Sequence, residues 1–307
     1  MRLNEVIIVD NASTDKTKQI VEKCARHDPR IRTIKLSKNM GFPYACNVGV
    51  LNSNSKYIVL MNPDVVVNTD CFANLAYSMS QDKKIAVAQP KLLHPGGYID
   101  SAGGLMDFLG HGFHIGKYEK DFGQHNKPKD VFYATFACAM IRKDIYLRLG
   151  GMDSRYFLYN EDLDFCWRCW LAGYRVTYVP DAIAYHIGQH ATRKTPYHAI
   201  YFGRRNRLYT VFTNYSLTLA ITASLLLLGL YMGLGIVTSM GDKYESRLLL
   251  RIVAKFFRDL KYLVTKRLAI PRKKTCLMFF KQKLIVLNLV GLRLHLAKLY
   301  RKQLRLM

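Results

Sequence analysis

Short apolar runs that stop at an acid recur in the first part of the chain. Residues 5–10 (EVIIVD) end at Asp10, and residues 57–64 (YIVLMNPD) end in Asn62-Pro63-Asp64. Both runs are brief, continuous and β-branched, which predicts strands buried on both faces, as in parallel sheets. Residues 11–15 (NASTD) then supply turn and helix-capping types, and Ile20, Val21 and Cys24 recur at helical spacing as far as His27. Residues 31–36 read as a further strand. A glycine loop at 39–43 (NMGFP) leads into a helix whose Ala45 and Gly49 permit close packing. The alternation β-α-β-α-β predicts a doubly wound, mainly parallel sheet flanked by helices.

The pattern then changes. Residues 90–128 are rich in glycine and lack a clear period, as in a long functional loop or lid. Residues 133–142 restore a strand-like run. Residues 160–172 predict a helix closed by Gly173, and 174–179 predict a strand stopped by Pro180. Residues 216–240 carry no charge and are long enough to cross a bilayer core of roughly 30 Å. Arg204, Arg205 and Arg207 precede this segment; Lys243, Arg247 and Arg251 follow it. With both flanks basic, the positive-inside preference does not orient a crossing. A re-entrant or in-plane helix with both flanks cytoplasmic meets that preference on each side. A shorter apolar run at 284–292 suits the membrane interface better than a span. The organisation expected is a catalytic domain over 1–205, a membrane-associated or transmembrane helix at 216–240 and a basic amphipathic helical tail at 242–307.

Composition narrows the partners. Half of the 307 residues are hydrophobic, which excludes disorder as a global description. The net charge is +24, and residues 242–307 hold 18 Lys/Arg against 3 Asp/Glu. These charges are interleaved with aliphatic residues beside an apolar segment, so anionic lipid fits the tail and nucleic acid does not. The seven cysteines sit mostly among apolar neighbours and read as reduced packing thiols. Cys166 and Cys169 form a lone C-x-x-C within a helical pattern, with no second pair to complete a zinc site.

Ligands of open α/β sheets bind beyond the carboxyl ends of the strands. Acids placed there suit a phosphate ligand bridged by a divalent cation. Residues 157–167 (FLYNEDLDFCW) add Glu161, Asp162 and Asp164, which could supply a separate base. No G-x-G-x-x-G follows the first strand, which disfavours a dinucleotide-dependent oxidoreductase. A glycoside hydrolase could use paired acids but has no need of a strand-end acid at 62–64.

Residues 6–15 (VIIVDNASTD), 39–49 (NMGFPYACNVG), 61–64 (MNPD) and 150–173 (GGMDSRYFLYNEDLDFCWRCWLAG) occur in the order seen in family 2 glycosyltransferases. The chain resembles that family, and within it the rhamnosyltransferase-like branch, over residues 5–188. The resemblance implies a GT-A fold and inverting transfer of a hexose, rhamnose among the candidates, from a nucleotide-diphosphate donor to a glycan or lipid-linked acceptor (EC 2.4). It implies Asp162 as the base with Glu161 orienting it. Donor contacts would come from Asp10, Asn39, Asn62, Asp64 and Arg168, and Asp64 and His186 would hold Mg2+ or Mn2+. The catalytic domain would be cytoplasmic. Three features depart from the family pattern. Asn62 replaces the first acid of its D-x-D element, and Pro43 and Tyr44 stand where the family has small residues. The family also carries an earlier strand and helix ahead of the segment matching Glu5, so the sheet is expected to lack its opening inner strand. The alternative reading is a catalytically impaired GT-A pseudoenzyme or membrane scaffold.

Overall fold

The computed structural model describes residues 3–187 and 196–273; the apolar run at 284–292 and most of the basic tail lie outside them. The opening β-α-β-α-β follows the apolar pattern closely. Strand β1 (Val6–Asp10), helix α1 (Thr17–His27), β2 (Ile31–Lys35), α2 (Phe42–Leu51) and β3 (Tyr57–Met61) come in that order. β1 and β2 pair in parallel as a separate two-stranded sheet. Among the described residues, β1 has no strand on its other edge, and β3 pairs only with β10 (Cys138–Arg142).

The larger sheet has the order β3-β10-β5-β11-β4, where β4 is Val65–Val67, β5 is Ile85–His94 and β11 is Arg175–His186. β10 runs antiparallel to both β3 and β5, while β5 and β11 are parallel, so β3, β5 and β11 all point the same way. Helix α3 (Cys71–Gln81) covers this sheet through Leu75 and Met79, both fully buried. On the other side α5 (Glu161–Leu171) packs Phe165, Trp167 and Trp170 into the main core. The short helix α4 (Lys143–Arg148) continues directly from β10.

Two stretches differ from the sequence expectation. β11 does not stop at Pro180. The register against β5 shifts between Val179 and Ile183, and the strand resumes as far as His186. An irregularity of this kind tolerates proline because the ladder hydrogen bond is already interrupted there. Residues 90–128 are more ordered than their weak period suggests. They hold the end of β5, then β6 (Tyr98–Ser101), β7 (Gly104–Met106) and β8 (Gly112–His114), with β9 (Lys129–Asp130) just beyond. Strands this short give no readable period. At Gly104, the first residue of β7, a Cβ would lie 2.2 Å from the Tyr133 ring, so the strand can approach that ring so closely only with glycine there.

The described residues close with a helical layer: α6 (Pro196–Asn214), α7 (Leu217–Ser239), α8 (Lys243–Arg258) and α9 (Leu260–Ala269). α7 is the apolar segment, and one side of it is buried. Ala220, Ala223, Leu227 and Tyr231 face inward in the same core that Leu249 and Ile252 of α8 and Leu208 of α6 share. Leu217, Ile221, Leu225, Leu226, Ile236 and Val237 remain exposed.

Candidate active site

Asp10 ends β1 buried, and its Oδ1 accepts from the Ser13 backbone N–H at 2.8 Å. Bonds to Ser13 hold its carboxyl below the ordinary range. The following Asn11 donates to Asn39 Oδ1 at 3.0 Å and accepts from the Met40 backbone N–H at 2.8 Å. Asp10 and Asn39 therefore belong to one loop pair at the carboxyl ends of β1 and β2. Gly41 joins that pair to the segment at Phe157. A Cβ there would lie 2.5 Å from the Phe157 carbonyl oxygen, and the adjacent Phe42 N–H donates to the same oxygen at 2.8 Å.

The segment after Phe157 carries Glu161 and Asp162 at the start of α5. Phe157, Tyr159 and Asn160 all have positive φ (63°, 70° and 65°), an unfavourable conformation for residues with side chains. All three stand directly ahead of the two acids. Glu161 is buried, and its Oε2 has no hydrogen-bond partner. Burial, and then the charge of Asp162, push its carboxyl up to about 8. Asp162 is partly exposed and its Oδ1 accepts from the Leu163 N–H at 2.7 Å. Burial raises it to about 6, against backbone hydrogen bonds from Leu163 and Phe136. Both carboxyls are thus held above the ordinary range, Glu161 the further of the two because it is the more deeply buried.

Asn62 donates its backbone N–H to the Ala137 carbonyl at 2.8 Å and accepts from Val65 at 3.2 Å, which fixes the turn that presents Asp64. Antiparallel pairing of β4 with β11 sets Val65 opposite His186. Asp64 Oδ1 lies 3.4 Å from His186 Nε2, and His186 Nδ1 lies 2.8 Å from Asp100 Oδ2. The hydrogen bond to Asp100 raises the His186 pKa. A divalent cation fits between Asp64 and His186, since it would take the place of the imidazole proton on the face turned to Asp64. Among the described residues, no group of three or more His, Cys, Asp or Glu forms a closed cage. A metal here would have to complete its shell with substrate oxygens and water, as Mg2+ commonly does.

Arg168 takes a different role from the donor contact expected of it. It is buried, donates to Asp164 at 3.0 Å and gives its remaining nitrogens to the carbonyls of Leu149 and Gly151, both at 2.7 Å. Its guanidinium has no face left for a phosphate. The pattern missed Asp100, which lies in the weakly periodic region, and Tyr133. The Tyr133 phenol is raised by burial and then by the charge of Asp162, with Asp100 also acting on it. The one available signal was an acid flanked by buried positions in a short strand.

A profile described as "Glycosyl transferase family 2" matches residues 2–150. The N-acetylglucosaminyl-diphospho-decaprenol L-rhamnosyltransferase of Mycobacterium tuberculosis is 25% identical over 62% of this chain and 69% of its own length. Rhamnosyltransferase WbbL of Escherichia coli is 28% identical over 62% of this chain and 75% of its own. The uncharacterized protein y4gI of Sinorhizobium fredii is 27% identical over 59% of this chain, yet the match spans only 21% of that longer protein. A crystal structure of GalNAc-T7 with UDP, GalNAc and Mn2+ superposes with a TM-score of 0.57 at 15% identity, over 88% of this chain and 53% of that one. The fold is GT-A.

Proposed function

This chain belongs to glycosyl transferase family 2, and we propose that it is an inverting, metal-assisted hexosyltransferase that moves a sugar from a nucleotide-diphosphate donor to a glycan or lipid-linked acceptor. The observation that carries the reading is geometric: Glu161, buried with an unpartnered Oε2, and Asp162 stand together at a strained helix start that touches the loop pair built around Asp10 and Asn39. Asp162 takes the proton of the acceptor hydroxyl as its oxygen attacks the anomeric carbon. The bond to the diphosphate breaks on the opposite face of the sugar. A carboxylate is a weak base beside an alcohol, so this transfer comes late and depends on position. Asp64 and His186 would hold Mg2+ or Mn2+, which supplies charge neutralisation for the departing diphosphate. Both rhamnosyltransferase relatives support rhamnose as the sugar. The test is release of nucleoside diphosphate from thymidine- and uridine-diphosphate rhamnose, with and without Mn2+. Metal-dependent turnover is expected; no turnover with either donor would favour the scaffold alternative.

Membrane attachment through α7 belongs to the same reading, with α7 lying in the plane of the interface. Its inner side is tied to its neighbours: Tyr231 OH donates to the Arg204 carbonyl at 3.1 Å, and Ser246 Oγ donates to the Gly235 carbonyl at 2.6 Å. Arg204 and Glu245 pair at 3.0 Å beside them. A full crossing would carry these ionised partners into hydrocarbon. An in-plane helix instead buries only its exposed leucine face, with Arg247 and Arg251 of α8 available to anionic headgroups. Glutamate at Leu225, Leu226 and Ile236 together should release the protein from anionic vesicles in a flotation assay without lowering its Tm. Retention after alkaline carbonate washing would instead show a span.

A further inference from the structure

Asp100 is a heavily engaged carboxylate to which no role has been assigned so far. It lies on β6 with a side chain only 5% exposed. Three cations or imidazoles converge on it: His186 Nδ1 at 2.8 Å, His94 Nε2 at 3.2 Å and Lys117 Nζ at 3.3 Å. Sheet pairing brings these together. β6 lies against β5, which ends at His94, and β11 lies on the other side of β5 and ends at His186. His94 Nδ1 also meets the His186 carbonyl at 3.2 Å, which closes the group.

We propose that Asp100 is a positioning residue for the donor-site cation, holding His186 so that Nε2 faces Asp64. The inference rests on the donor-site reading above. An imidazole has two nitrogens, and the hydrogen bond made by one decides what the other can do. With the Nδ1 proton given to Asp100 Oδ2, the Nε2 lone pair is free for a metal and its basicity rises. The opposite carboxylate oxygen is taken by His94 and Lys117, so the Asp100 carboxylate cannot rotate toward the cation itself. A merely structural salt bridge with Lys117 would not need the second oxygen aimed at His186.

Mn2+ binding to the whole protein, without nucleotide, reads this directly by water-proton relaxation. Asp64→Asn should abolish the wild-type signal. Loss of an outer partner of a metal-ligating histidine costs about 10–100-fold in affinity. Asp100→Ala should weaken Mn2+ binding near the upper end of that range. Asp100→Asn, whose amide oxygen can still accept from Nδ1, should fall near the lower end, and it decides the matter if the alanine variant does not fold. Lys117→Met, which removes the other ion pair, should lower Tm while leaving the Mn2+ dissociation constant within about twofold, because it leaves the metal-ligating histidine's outer partner in place. Asp100 variants that bind Mn2+ like wild type would overturn the positioning role while leaving the donor site intact. Wild-type Mn2+ binding that is absent, or indifferent to Asp64→Asn, would sink the donor-site reading and this inference with it.

Discussion

Asp162→Asn is expected to lower sugar transfer by a factor of about 100 or more while leaving nucleotide binding nearly unchanged, the usual scale for losing a general base. The variant differs from wild type by one proton acceptor on a side chain of the same shape, so positioning is kept and only proton removal is lost. Wild-type turnover should rise with pH through about 6, where Asp162 ionises, and level off above it. Glu161→Gln should behave differently. Glu161 holds its proton up to about 8, so a neutral amide imitates it at pH 7 and turnover should stay within a few-fold of wild type. Stability provides a second readout. Both carboxyls titrate higher in the folded chain than in an unfolded one, so the folded state binds more protons from about pH 4 upward. Their contribution is fully present below that pH and is lost as pH rises through the folded values. Asp162→Asn should therefore raise Tm at pH 8 and leave it unchanged near pH 3. Near-normal transfer by the variant would move the base to another carboxylate.

The parts of this site that the sequence pattern reveals are those set by local chemistry. An apolar run ending in an acid needs only neighbouring residues to be recognised, and β1, β3 and the start of α5 fall where the runs place them. Asp100 and His186 are 86 residues apart, and only the β6-β5-β11 pairing makes them neighbours. Pro180 shows the same limit from the other side. Read locally, it ends a strand, whereas the register shift against β5 absorbs it. Arg168 illustrates a third case. The resemblance makes it a donor contact, whereas its bond to Asp164 and the inward-turned carbonyls of Leu149 and Gly151, which no local pattern shows, engage its guanidinium.

Lys266→Met should destabilise the fold by about 3–5 kcal/mol, the cost of breaking a buried ion pair by removing one partner. Lys266 extends from α9 into the back of the catalytic helix, where its ammonium lies 2.9 Å from Asp153 and 3.1 Å from Asp164. Asp164 is fully buried and also accepts from Arg168, Asn214 and Tyr156. Burial works to raise its pKa, but Lys266 and Arg168 prevail and hold it at about 2. A carboxyl depressed in this way stabilises the fold above its unfolded pKa near 4, and that contribution is lost as pH falls toward about 2. The deficit of Lys266→Met should therefore be large at pH 7 in urea titrations and shrink steadily below pH 4. Adding Asp164→Asn to Lys266→Met should recover part of the loss, because the uncompensated charge is then gone. Asp164 stands two residues after Asp162 on α5, so α9 braces the segment that carries the proposed base. Turnover of Lys266→Met should accordingly fall several-fold at temperatures where the fold is still intact, with the pH midpoint for Asp162 unmoved. A loss of under about 1 kcal/mol would put the pair on the scale of an exposed surface bridge and remove α9 from the support of the site.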